Sequence, residues 1–149
     1  MATPREIRRL AFQVLFQLDA RGGDEPDVVR GSLDGLEGPT PKDKQKAFDL
    51  GSGAYAARSG ADQEFLALAP AWPSHRLAAT DRAILRLAWY EMTSGKTQPK
   101  IAVNEAVELA KEFGTDRSPA FVNGLLDKVL KRVLGDRGET PSQAGAAES

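Results

Sequence analysis

The chain has 149 residues, with 20 Lys+Arg against 21 Asp+Glu, one His and no Cys. That length fits one domain able to bury roughly 70% of its unfolded surface. The lack of cysteine excludes disulfides, iron–sulfur clusters, Cys-zinc sites and thiol nucleophiles, and the lone His75 leaves no His-rich metal site. A net charge of −1 argues against a protein that coats nucleic acid indiscriminately. The expectation is a chain without metal, cofactor or catalytic centre. Arg5, Arg8 and Arg9 interrupt any apolar run at the start, so no signal peptide is read there. Nor does any apolar stretch approach the roughly 20 residues that span a bilayer; the expected compartment is the cytoplasm.

The helical signals come in chain order. Thr3 and Glu6 have capping-box spacing and Pro4 suits the first helical position. Ile7, Leu10, Ala11, Val14, Leu15 and Leu18 then recur at helical spacing until Arg21-Gly22-Gly23. Residues 22–39 are acidic and glycine-rich, and their few apolar residues predict a short helix. Thr40-Pro41 restarts the chain, with an apolar face reaching to about Ser59-Gly60, and a further helix is predicted from Asp62 to about Ala69. Pro70-Ala71-Trp72-Pro73 breaks that pattern as a rigid elbow between two sub-bundles. Thr80 or Asp81 is expected to cap the next helix, which closes at Ser94-Gly95. Pro99 opens another that closes at Gly114, and Ser118-Pro119 opens the last, which ends before Gly135. Nothing alternates with the period of a strand. The class is all-α, about seven helices in one domain over residues 1–135, with sub-bundles about 3–60 and 61–135. Residues 136–149, without apolar anchors, are expected to form a disordered tail.

Candidate chemistry is sparse. Gly51-Ser52-Gly53 lacks the lysine and strand of a phosphate loop, so close helix–helix approach is the better reading. Ser74 beside His75 is not a nucleophile with its base. Glu105 and Glu108 share a helix face, but a helical di-metal site needs histidines the chain lacks. Charge is more informative than motif. Residues 1–10 carry net +2, residues 111–137 net +2 and residues 19–49 net −3, so the near-zero total hides a polarised chain. Phe12, Phe16 and Phe121 lie near the basic segments, where aromatic rings can stack on unpaired bases.

Three blocks then carry a resemblance. Asp81-Arg82-Ala83-Ile84-Leu85-Arg86-Leu87-Ala88-Trp89-Tyr90-Glu91-Met92, the run Pro99 to Lys111 with Phe113-Gly114, and Phe121-Val122-Asn123-Gly124-Leu125-Leu126-Asp127-Lys128 resemble, in order and spacing, the NusB family of transcription antitermination factors. Arg8 to Phe16 resembles the family's opening helix. The resemblance implies two small orthogonal helical bundles and no covalent chemistry. It implies binding to single-stranded boxA RNA of ribosomal RNA leaders, together with the ribosomal protein NusE, within the transcription elongation complex. Carried over by position, Arg5, Arg8 and Phe121 are expected to face RNA, joined by Arg9 and Arg117, which stand where the family usually has an acid, and by Arg86, which reads equally as a structural ion-pair partner. Phe16, His75, Arg76 and Asp81 are expected to face NusE. Some family members self-associate, and a homodimer is left open. Two other readings stand beside this one: a NusB-like helical scaffold without independent RNA binding, and the accessory module of an RNA methyltransferase.

Overall fold

A computed structural model describes residues 1–136 and 138. Among these residues there are seven α-helices and no strand: α1 Pro4–Ala20, α2 Pro26–Asp34, α3 Pro41–Ala56, α4 Arg58–Leu68, α5 Ala79–Thr93, α6 Pro99–Phe113 and α7 Ser118–Asp136. A single 3₁₀ turn, Ser74–Arg76, sits between α4 and α5. No helix among them is long and apolar enough to cross a membrane.

Local chemistry starts the helices. The Thr3 hydroxyl accepts from the Glu6 amide while Glu6 reaches back to the Thr3 amide, and Thr40 with Asp43 repeats this reciprocal cap at α3. Proline at the first position of α1, α2, α3 and α6 gives up only an amide that would have had no intrahelical partner. Packing then holds them. Helix α5 is the hub, touching α1, α3, α4, α6 and α7. Its run Ala83 to Ala88 is buried at every position, the pattern of a helix enclosed on all sides. Leu15 of α1, Ile84, Leu85 and Leu87 of α5, and Leu126 and Leu134 of α7 are among the largest fully buried side chains of the core, each stabilising by about 1.5–3 kcal/mol. A satellite cluster of Val14, Leu18, Val29 and Leu33 attaches α2.

The glycines of α3 are packing sites, as their lack of a phosphate-loop context suggested. A Cβ on Gly51 would lie 2.7 Å from the Ala11 carbonyl oxygen, and one on Gly53 within 2.4 Å of the Tyr90 hydroxyl. Three sequence expectations need correction. Helix α4 begins at Arg58, not Asp62, because Gly60 is no breaker: it lies under the Trp89 indole, 2.8 Å from where its Cβ would stand. Neither Thr80 nor Asp81 caps α5. The cap position is Ala78, without a side-chain bond, and the preceding segment is held instead by Arg82 in the first turn of α5, which donates to the carbonyls of Ser74 (3.0 Å) and Leu77 (3.2 Å). Finally, α7 continues through Gly135 to Asp136, whose carboxylate accepts from Arg132 at 3.1 Å. Apart from Asp136 and Gly138, the expected disordered tail lies outside the described residues.

Candidate nucleic-acid interface

Two loops build the site. The first is the proline elbow. The Trp72 amide closes a turn on the Ala69 carbonyl at 2.9 Å, and the Arg76 amide bonds the Pro73 carbonyl at 2.8 Å. Arg82 fastens this loop to the body by also donating to Asp19 of α1 at 2.6 Å. The second is the α6–α7 turn. Gly114 permits it, because a Cβ there would stand 2.5 Å from the Ser118 side chain. The buried Ser118 hydroxyl then accepts from the Thr115 amide at 2.9 Å, fixing the first turn of α7. Between the two loops lies a groove of about 310 Å³ lined by Trp72, Arg76, Leu77, Asp81, Arg117 and Phe121 among others. The Trp72 and Phe121 rings meet edge to face, centroids 6.4 Å apart. Arg76 and Arg117 are exposed, and neither belongs to an ion pair formed among the described residues.

The groove thus brings together Arg117 and Phe121, expected to face RNA, with Arg76 and Asp81, expected to face NusE. Phe16 and His75 are exposed but lie outside its lining. Phe16 is 37% exposed, with its ring 6.3 Å from that of Phe12. Phe12 itself is buried against Phe113, a core role.

The opening helix behaves differently. Its three arginines each meet a glutamate: Arg5 with Glu105 at 3.0 Å, Arg8 with Glu91 at 2.9 Å and Arg9 with Glu112 at 3.1 Å. Arg5 and Arg9 are exposed pairs, which are weak and salt-screened, so a phosphate can replace the carboxylate. The hydrogen bonds and charge of Glu105 push the Arg5 pKa up. Arg8 is not available in that way. Its side chain is 12% exposed and its Glu91 partner 4%, and it also donates to the Thr97 hydroxyl. Thr97 in turn donates to Glu91. The expectation that Arg8 faces RNA is corrected to an internal ion pair between α1 and α5.

For Arg86 the structure takes the ion-pair alternative. It is 6% exposed and donates to both oxygens of Asp62, at 3.0 and 2.7 Å, and to Asp19 at 3.1 Å. Burial opposes its charge, but the hydrogen bonds and charges of Asp62 and Asp19 outweigh that and raise its pKa. Burial likewise works against the Asp19 carboxylate, and Arg82 and Arg86 overcome it and hold its pKa below the usual carboxylate range. The cluster Asp19–Arg82–Arg86–Asp62 ties α1, α4 and α5 together and engages both guanidiniums internally.

One site residue escaped the sequence reading. Trp72 was read only as part of a rigid elbow, yet it is 53% exposed at the groove mouth. The signal was present: a tryptophan between two prolines cannot be carried into a helical core.

Comparison with known proteins agrees with this architecture. The family model described as "NusB family" matches residues 5–131. Transcription antitermination protein NusB of Trichlorobacter lovleyi is 37% identical over 130 residues, covering 87% of this chain and 91% of that one. The same-named protein of Symbiobacterium thermophilum is 39% identical over 145 residues, 90% of this chain and 93% of its own. Among solved structures, NusB of T. maritima superposes with a TM-score of 0.78 at 30% identity, over 98% of this chain and 99% of that one. A complex described as antitermination factors NusB and NusE with dsRNA shares the fold, with a TM-score of 0.75 at 24% identity over 86% of this chain and 96% of that one. The matched blocks, the helical order and the near-complete span of these relatives agree: the chain belongs to the NusB family of transcription antitermination proteins.

Proposed function

We propose that this chain binds single-stranded RNA of the boxA type in ribosomal RNA leaders, jointly with NusE, and so joins the elongating polymerase. One observation carries the RNA part: two arginines with no ion-pair partner among the described residues share a single groove with the exposed Trp72 and the half-buried Phe121. Guanidinium groups pair with phosphate oxygens, and aromatic rings stack on unpaired bases. Lys128 lies seven residues beyond Phe121, hence about 10 Å further along the same face of α7, and extends the cationic track. Arg5 and Arg9 are the auxiliary contacts, each exchanging a glutamate for a phosphate. The NusE surface is assigned to Phe16 and His75, with Arg76 and Asp81 at the border between the two ligands. A solved complex described as NusB and NusE with dsRNA contains the same fold.

The test is RNA affinity over a range of salt concentrations, with and without NusE. Each phosphate contact steepens the logarithmic salt slope by about 0.7 for a single strand. Arg117→Ala is expected to lower the slope by about that amount, and NusE to raise the affinity. A flat salt titration with no gain from NusE would leave a helical scaffold without RNA binding. That second reading draws on one observation, the neutralisation of Arg5, Arg8 and Arg9 by their glutamates.

A further inference from the structure

We propose that Trp72 and Phe121 form a slot for one unpaired nucleobase, with Arg76 and Arg117 holding the phosphates on either side of it. The inference rests on the RNA-binding reading and adds to it a stacking residue, Trp72, and a stoichiometry of one base.

The two tryptophans of the chain show what needs explaining. Trp89 is packed over Gly60 and donates its indole N–H to Glu64 at 2.9 Å. Trp72 is 53% exposed and forms no side-chain hydrogen bond among the described residues, although solvating so large an apolar ring costs stability. Pro70 and Pro73 fix the backbone on both sides, and the Ala69–Trp72 turn of 2.9 Å adds a third restraint. A ring held in place in the free protein loses little entropy when it binds. Phe121, half-buried at the first turns of α7, supplies the second wall. Its ring stands at 68° to the indole, so a base stacked on the indole face presents its edge to the phenyl ring.

Charge then selects the occupant. Arg76 and Arg117 come from opposite loops and place positive charge on the two rims. Asp81, which also lines the groove, repels phosphate from its interior, so the flat uncharged part of a nucleotide enters and the anionic backbone stays outside. A cavity of about 310 Å³ lies at the small end of ligand sites and takes a single ring system rather than a helix face.

The test uses the full chain with two probes of equal length, a single-stranded oligoadenylate dodecamer and inorganic polyphosphate, which has the charge without bases. Trp72→Ala is expected to weaken oligoadenylate binding roughly 5- to 150-fold, the range for one lost stack, and to leave polyphosphate binding within about twofold. Trp72→Phe should restore most of the loss, because a phenyl ring also stacks. Oligoadenylate, but not polyphosphate, should quench the tryptophan fluorescence of the native chain and spare that of Trp72→Phe, whose remaining indole is Trp89. Equal losses for both probes, or no loss at all, would overturn the slot; if Arg117→Ala still lowered the salt slope, the RNA-binding reading would stand. If Trp72→Ala weakened NusE binding alone, the groove would belong to the protein partner and the slot would fall. If no RNA bound with or without NusE, the underlying reading itself would fail.

Discussion

Replacing Arg8 separates a structural arginine from an RNA-binding one. In Arg8→Ala the guanidinium that meets Glu91 at 2.9 Å disappears, while Glu91 remains 4% exposed within α5. Removing one partner of a buried pair costs about 3–5 kcal/mol, because the other charge is left uncompensated. The low end applies here. Thr97 still donates to Glu91, and the adjoining cavity of about 450 Å³, lined by Lys46, Lys96 and Thr97 among others, admits water to the vacated position. For a chain of this size about 3 kcal/mol corresponds to a melting temperature lowered by roughly 6–12 °C, readable by circular dichroism. Arg8→Ala/Glu91→Gln should recover a substantial part of that loss, since the stranded charge is gone, and the four corners of the double-mutant cycle measure the coupling. RNA affinity, measured below the melting range of the variant, should change little. A drop under about 2 °C accompanied by a large fall in RNA affinity would refute the reasoning and return Arg8 to the RNA surface.

Three further outcomes follow from other contacts. Gly51→Ala should destabilise by about 1–3 kcal/mol in chemical denaturation despite the better helix propensity of alanine, because the new methyl meets backbone at 2.7 Å; a stabilised variant would mean that α1 and α3 part easily. On the acid side, the Asp19 carboxyl titrates below its unfolded value, near 3.9. Its contribution is therefore complete above that value and is lost as the pH falls through the lower folded pKa, so Asp19→Asn should shrink the loss of melting temperature below about pH 4, and an unchanged acid slope would count against the cluster. Arg5→Gln and Arg9→Gln should each lower the salt slope of RNA binding by about 0.7 with melting temperatures nearly unchanged, and unchanged slopes would remove the opening helix from the RNA path.

How far the sequence could be read depends on how local the cause is. The start of α1 was legible because its cap is written within four residues, Thr3 to Glu6, and the reciprocal bonds are present. The start of α5 was not, because no side chain caps it and the segment before it is held by Arg82 through carbonyls and Asp19. The family's blocks pointed to Phe121, and the charge pattern to Arg117, but neither pointed to Trp72, which meets Phe121 only when the elbow packs beside the α6–α7 turn. Charge was the least legible property. Arg5 and Glu105 stand 100 residues apart, Arg9 and Glu112 stand 103 apart, and no local pattern announces that a basic helix will dock beside an acidic one.

That docking changes what the charge balance means. The basic start of the chain is paired with Glu105, Glu91 and Glu112, the Arg8–Glu91 pair internally and the other two at the surface, and Arg82 and Arg86 are engaged with Asp19 and Asp62. Beside the Trp72–Phe121 surface the outward-facing cations are Arg76 and Arg117, with Lys128 further along α7. With so few contacts, counterion release gives this chain only modest affinity for any RNA, and stacking in a single narrow groove supplies the discrimination. A second protein that adds its own phosphate contacts on the adjoining Phe16 and His75 surface would then multiply affinity without loosening selectivity. On this argument a near-neutral chain suits a selective RNA reader, because part of the charge that would bind RNA indiscriminately is instead engaged in holding its helices together.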